Sequence, residues 1–187
     1  VFAQRYDRTG AARGQEFRVN THTPSLQLVG DVAMDAAGNF IVVWTSWLQD
    51  GSDSGVFGQL YDASGAPRGA EFQVNTNTPG MQQGPSVDTD GAGNFVVSWT
   101  GSQDGSDRGI SARRFDAAGV PLGAEFAVNA YATGEQSNAL VAVGAQGDFV
   151  VAWGGQGAGD DVGVFARRFD ASGAPLGPDF RVNTTTH

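Results

Sequence analysis

VFGQLYDASGAPRGAEFQVNTNTPGMQQGPSVDTDGAGNFVVSWTGSQDGSDRG, residues 56–109, is the second of three successive copies of one pattern, and the chain opens a fourth. Residues 1–55 share with it VF.Q.YD, EF.VNT.TP, D.AGNF.V.WT and QDGSD.G; residues 110–163 repeat the plan more loosely, and 164–183 repeat its opening. A fixed period of this length marks a repeat architecture, in which one unit cannot bury its apolar faces alone and neighbours must stack. The chain therefore reads as a single repeat domain, 1–187.

Within a copy the apolar residues alternate. In 56–62, Phe57, Gln59 and Tyr61 point one way and Val56, Gly58 and Leu60 the other, the period of a strand. An Asp with a Gly three residues on follows each such strand (Asp7/Gly10, Asp62/Gly65, Asp116/Gly119, Asp170/Gly173), which is turn chemistry. A second strand carries Phe17/Val19, Phe72/Val74, Phe126/Val128 and Phe180/Val182 inward and Arg18, Gln73, Ala127 and Arg181 outward, closing a hairpin. A polar connection holding Gln27, Gln82 and Gln136 in register leads to a third strand around Val32, Val87 and Val141. That strand turns through DAAGN, DGAGN and GAQGD into the runs 40–44, 95–99 and 149–153, each ending in Trp. A near-continuous apolar run is a strand buried on both faces.

Four short antiparallel strands per copy, with no helical period, predict an all-β, propeller-like fold of about 3.5 four-stranded blades. A β-trefoil or another closed three-repeat β fold is the alternative, but a trefoil leaves the fourth, partial copy redundant. Both ends carry the same hairpin, so they cannot complete one another's blade. Either the chain is a segment of a longer array, as its start and end at the same phase imply, or a homodimer closes a ring.

Composition narrows the partners. The 187 residues are 40% hydrophobic and 17% charged, enough apolar content for a core. No apolar run approaches the roughly 18 residues of a membrane span. A net charge of −9, with every basic residue an Arg, speaks against nucleic acid, whose phosphates need a basic face. The absence of Cys removes disulfides, thiolate zinc sites and a Cys nucleophile without fixing the compartment.

The run VFGQLYDASGAPRGAEFQVNT with GNFVVSWTGSQDGSDRG resembles the repeats of about this length in large secreted or surface proteins of bacteria, often beside RTX-type calcium-binding or cadherin-like modules. It is more distantly similar to the FG-GAP blades of integrin α-type propellers, whose loops bind calcium. The resemblance covers nearly the whole chain. It implies a secreted or cell-surface location and an adhesin-like or matrix-binding role.

Candidate sites lie in the loops. The stretch after each Trp run offers Asp50 and Asp53, Asp104 and Asp107, and Asp160 and Asp161 in Gly-rich settings. Closely spaced carboxylates and carbonyls are hard oxygen donors of the kind calcium takes, while the same composition also makes a solvated acidic turn. VDTDGAGN at 87–94 departs from the FG-GAP loop pattern at Ala92 and reads better as a hairpin turn in all copies. Trp44, Trp99 and Trp153 read as a core layer. Trp47, Arg108, Tyr131 and Glu135 stand where the copies differ, the positions at which a specific ligand site is written.

Catalysis finds little footing here. Glycosidases need two unequal carboxylates, whereas Glu16, Glu71 and Glu125 are copies of one position and neither His has a nucleophile beside it. The turns also lack the S-x-D-x-G-x-T-W box of sialidase blades. The expected function is therefore a non-enzymatic extracellular binding or adhesion module, taking a glycan or a surface protein with calcium ordering its loops. The alternative is a structural spacer with no specific ligand.

Overall fold

The computed structural model describes residues 1–102, 108–157 and 160–185, with no side-chain placement for Val29, Asp160 or Asp161. Fourteen strands are present among the described residues: β1 (Phe2–Tyr6), β2 (Ala12–Arg18), β3 (Gln27–Met34), β4 (Phe40–Trp47), β5 (Ser54–Tyr61), β6 (Pro67–Gln73), β7 (Gln82–Thr89), β8 (Phe95–Gly101), β9 (Gly109–Phe115), β10 (Phe126–Ala127), β11 (Gln136–Val143), β12 (Phe149–Gly157), β13 (Asp160–Phe169) and β14 (Phe180–Arg181). They pair antiparallel as one two-stranded sheet, β1-β2, and three four-stranded sheets, β3-β4-β5-β6, β7-β8-β9-β10 and β11-β12-β13-β14. This is the propeller-like arrangement of half a blade and three blades; three sheets packed face to face leave no trefoil.

The blades do not coincide with the sequence copies. Each four-stranded sheet takes its first two strands from one copy and its last two from the next. The inner strands β3, β7 and β11 run side by side, and β6, β10 and β14 lie at the outer edge. Local chemistry explains the strands. FIVVWTSW in β4 is β-branched and aromatic and is buried nearly throughout. The hairpin joining β3 to β4 turns on Gly38, at φ 86, where Asp35 Oδ1 accepts the Ala37 and Asn39 N–H groups at 2.9 Å each. Only glycine takes that backbone conformation without strain, and Gly93 and Gly147 repeat it. The D-x-x-G-N stretches are thus turns, as read.

Three apolar clusters fill the seams between sheets, each anchored by one Trp that faces back toward the preceding blade. Trp44 packs with Val19, Phe57 and Tyr61 and with Phe17 of the half-blade; Trp99 packs with Ile41, Val43 and Val56; Trp153 packs with Val96 and Val128. The rings follow the same plan. Phe40/Tyr61, Phe95/Phe115 and Phe149/Phe169 stack at 4.9 Å between centroids within a blade, and Phe17, Phe72 and Phe126 from the preceding outer strand tilt onto them. Phe180 and Val182, expected to point inward, are exposed, because no sheet packs on the far side of β14 in the structure.

In the two later seams a polar clamp joins the outer strand to the next inner one. Asn75 Oδ1 accepts the Val56 N–H at 2.8 Å, and its amide donates to Asn77 C=O and to Gln82 Oε1, while Gln82 Nε2 donates to Pro79 C=O at 3.0 Å. Asn129 and Gln136 repeat the arrangement. The carboxylates of Glu71, Glu125 and Asp179 reach across the seam to the backbone N–H groups of Thr21, of Thr76 and Asn77, and of Ala130 and Tyr131. Glu71 and Glu125, and Asp179 in the last copy, are seam ties.

Candidate functional site

The blades have two unlike ends. One carries tight Asp-Gly turns. Their carboxylates are committed to the turn: the Thr9, Ser64 and Ser172 hydroxyls, with the turn N–H groups, hold Asp7, Asp62 and Asp170 below the ordinary Asp value. The other end carries the longer connections 48–53 and 74–81, and Trp47, Asp50, Asp53, Arg108, Tyr131 and Glu135 fall there. Arg108 and Glu135 come together, Nε to Oε1 at 3.7 Å, where a parallel bridge joins two connections. Tyr131 gives its backbone N–H to Asp179 and lines a shallow cavity of about 270 Å³ with Trp153, Phe165 and Arg181. Trp47 lies a blade away at the end of β4, half-buried, so the four do not form one site.

Asp50 and Asp53 brace their own loop: Asp50 Oδ1 accepts the Ser52 N–H at 3.0 Å and the Asp53 C=O accepts the Leu48 N–H at 3.1 Å. Asp104 and Asp107 lie outside the described residues, as do the side chains of Asp160 and Asp161, whose backbone belongs to β13. Among the described residues no three His, Cys, Asp or Glu side chains are grouped to hold a metal. The oxygens that this end of the first full blade leaves sealed without a protein partner are Gln27 Oε1, Ser46 Oγ, Gln49 Oε1 and Asp50 Oδ2. They are hard donors, but they include one carboxylate and fall short of the six to eight oxygens of a calcium shell.

A second constellation was not foreseen. Asp31 and Asp88 sit on neighbouring inner strands, β3 and β7. Asp31 Oδ2 accepts the Ser86 hydroxyl at 2.9 Å and the Val87 N–H at 3.1 Å, and its Oδ1 accepts the Val32 N–H. Asp88 is two residues beyond Ser86 on the same face of β7; its Oδ2 accepts the Val143 N–H of β11 at 2.8 Å and its Oδ1 the Thr89 N–H. Asp31 thus reaches from β3 to β7, and Asp88 from β7 to β11. Both are half-buried and fixed by donors from the neighbouring strand. The signal was present in the sequence: Asp31 aligns with Ser86 and Leu140, and Asp88 with Ala33 and Ala142, so each stands once in the repeat.

No family model and no curated protein matches the chain. Solved structures do match it. An endo-arabinase from Bacteroides thetaiotaomicron VPI-5482 is similar at TM-score 0.50 and 12% identity over 97% of this chain, and an α-L-arabinofuranosidase from Lactobacillus brevis at TM-score 0.55 and 12% identity over 97%. The α-L-arabinofuranosidase Arb93A from Fusarium graminearum, solved with an iminosugar inhibitor, is similar at TM-score 0.52 and 13% identity over 77%. The chain spans 65%, 71% and 45% of those three proteins respectively. At these identities the likeness is one of fold, and it agrees with the propeller-like sheets.

These neighbours correct the expectation of a non-enzymatic adhesion module or spacer, and the expectation that the chain is no enzyme. All three are glycan-cleaving enzymes built on stacked β sheets. The carboxylates counted against catalysis were the repeated Glu16, Glu71 and Glu125. In the structure Glu71 and Glu125 tie seams, while two carboxylates that the repeat does not copy lie on adjacent inner strands. No helix of the described residues is long and apolar enough to cross a membrane.

Proposed function

We propose that this chain supplies the blades of a glycan-processing enzyme, with Asp31 and Asp88 as its working carboxylates. The observation that carries the reading is their placement on the neighbouring inner strands β3 and β7, held by Ser86 and by the Val87 and Val143 N–H groups. Two carboxyl groups about 6.5–9.5 Å apart leave room for a water between acid and base, the geometry of an inverting glycosidase. Arabinose-containing polysaccharides are the substrate class to try first, since the fold neighbours are an endo-arabinase and two arabinofuranosidases.

The test is release of reducing sugar from a panel of arabinan, arabinoxylan and unrelated glycans, with Asp31→Asn and Asp88→Asn alongside. Loss of a general acid or base lowers the rate by about 10²–10⁴, so each variant is expected to lose at least about a hundredfold while keeping its circular dichroism. Activity unchanged in both variants, or no release from any glycan by the parent chain, would remove the proposal.

A further inference from the structure

The blade β11-β12-β13-β14 presents an aromatic row to the blade before it. The strand registers set Trp153 beside Phe165 and Phe165 beside Arg181, so the three lie in line across β12, β13 and β14. Tyr131, on the connection that leaves β10, stands across the seam from this row, and Gln156 flanks it near the end of β12. Together they line the cavity of about 270 Å³. Both of its walls belong to the chain: Asp179 and Arg181 alternate with the exposed Phe180 and Val182, and so face the preceding blade. Trp153 and Phe165, each 3% exposed, are its floor, and Tyr131, 37% exposed, is the ring that solvent reaches. The Tyr131 wall is fixed in advance. Asp179 Oδ2 accepts the Ala130 and Tyr131 N–H groups at 2.7 and 3.1 Å, and Arg167 Nε lies 3.6 Å from Oδ1.

The other blades differ at this place. One blade earlier the row reads Trp99, Ser111 and Ala127, with Asn77 for Tyr131 and Ser102 for Gln156, and the space is about 150 Å³. In the first full blade the row is Trp44, Phe57 and Gln73, but His22 replaces Tyr131, Trp47 replaces Gln156, and Gln73 Nε2 is sealed. Tyr, Phe, Gln and Arg hold the four positions together only in the last blade.

We propose that this cavity binds one sugar ring of a glycan, as a holding subsite on the outer strands, apart from Asp31 and Asp88 on the inner ones. A sugar ring has apolar C–H faces and a rim of hydroxyls. The aromatic rings offer the faces a surface, while the Gln156 amide, both donor and acceptor, and the Arg181 guanidinium, a donor, meet the rim. The volume is just under the 300–1,000 Å³ or so of pockets that enclose larger ligands, so one ring enters and the rest of the glycan stays outside. The subsite rests on the proposed function only for the choice of glycan, since holding the ring needs no carboxylate chemistry.

The test is a titration of the parent chain and of Asp31→Asn with arabinohexaose, xylohexaose and cellohexaose, read by Trp fluorescence and by the indole N–H signals in heteronuclear NMR. Saturable one-to-one binding of at least one of the three by both chains is expected, with the Trp153 indole signal moving. Tyr131→Ala and Arg181→Ala, at exposed positions, should each weaken that binding about tenfold with circular dichroism unchanged, and Asn77→Ala, one seam away, should leave it as it is. Binding of none of the three, full binding by both the Tyr131 and Arg181 variants, or a response to adenosine and to no oligosaccharide would overturn the proposal. Binding retained where the parent chain hydrolyses nothing would sustain the subsite and remove the catalytic reading alone.

Discussion

The seam between the half-blade and the first full blade solves the same problem as the two later seams with different residues. In every seam one backbone carbonyl of the preceding blade needs a donor. In the first, Tyr61 gives its hydroxyl to Val19 C=O at 3.3 Å, and Gln59 beside it bonds Leu60 and Gly69 C=O within its own blade. In the later seams the pair is Arg and Phe: Arg113 reaches Val74 C=O and Arg167 reaches Val128 C=O, both at 2.9 Å, and each guanidinium lies over the neighbouring Phe ring at 5.4 and 5.6 Å. Gln with Tyr and Arg with Phe are alternative ways to bond one carbonyl. The charged donor is the stronger, and the first seam has a second shortfall, because Gln27 Oε1 lacks the Asn partner that Gln82 and Gln136 have.

That difference is open to test. Gln82→Ala strips a fully buried residue whose partners Asn75 and Pro79 stay behind; leaving buried groups unpaired costs about 1–3 kcal/mol each, so a loss near the top of that range is expected. Gln27→Ala, with one bond at 3.1 Å to Pro24 C=O, should cost under about 1 kcal/mol. Equal urea midpoints for the two variants would erase the contrast. Next in size, Arg113→Met removes a charge-assisted donor and should cost about 2 kcal/mol, against about 1 kcal/mol for Tyr61→Phe.

The sharper experiment transplants one solution into the other. Gln59→Arg combined with Tyr61→Phe should return the first seam to within about 0.5 kcal/mol of the parent chain, read as a non-additive double-mutant cycle. Simple addition of the two single costs would show that the pairs are not interchangeable. The smallest effect is alkaline. Burial, and then the negative charge of Glu71, push the Tyr61 phenol up to about 12. A raised value means that its contribution is whole below the unfolded value of about 10 and is lost as the pH climbs toward the folded one. Arg stays charged throughout that window, so the urea midpoint should fall between pH 9 and pH 11 in the parent chain and fall less in Tyr61→Phe.

What was legible in the sequence follows from repetition. Strand positions, the Asp-Gly turns and the Trp layer recur in each copy, so three readings of one pattern reinforced one another. Which strands share a sheet did not follow, because a periodic sequence has no marked start: Phe57 pairs with Trp44 of the earlier copy as well as with Gln73 of its own. Glu71 looked like an exposed, repeated carboxylate, and its bond to Thr21 joins residues fifty positions apart. The candidate site was hidden for the same reason. Asp31 bonds Ser86, and Asp88 bonds Val143, each across a blade boundary, a neighbour relation that no single copy contains. Loop variation at Trp47 and Tyr131 drew attention instead, since it is visible along the chain.

The half-period offset between sequence copy and sheet carries a consequence for how such a chain grows. Every blade is stitched from two consecutive copies, so duplicating or deleting one period at any point, even in the middle of a strand, still leaves inner pairs followed by outer pairs. Recombination between the similar stretches 1–55 and 56–109, crossing at aligned positions, therefore adds or removes one whole period and keeps the order of inner and outer pairs.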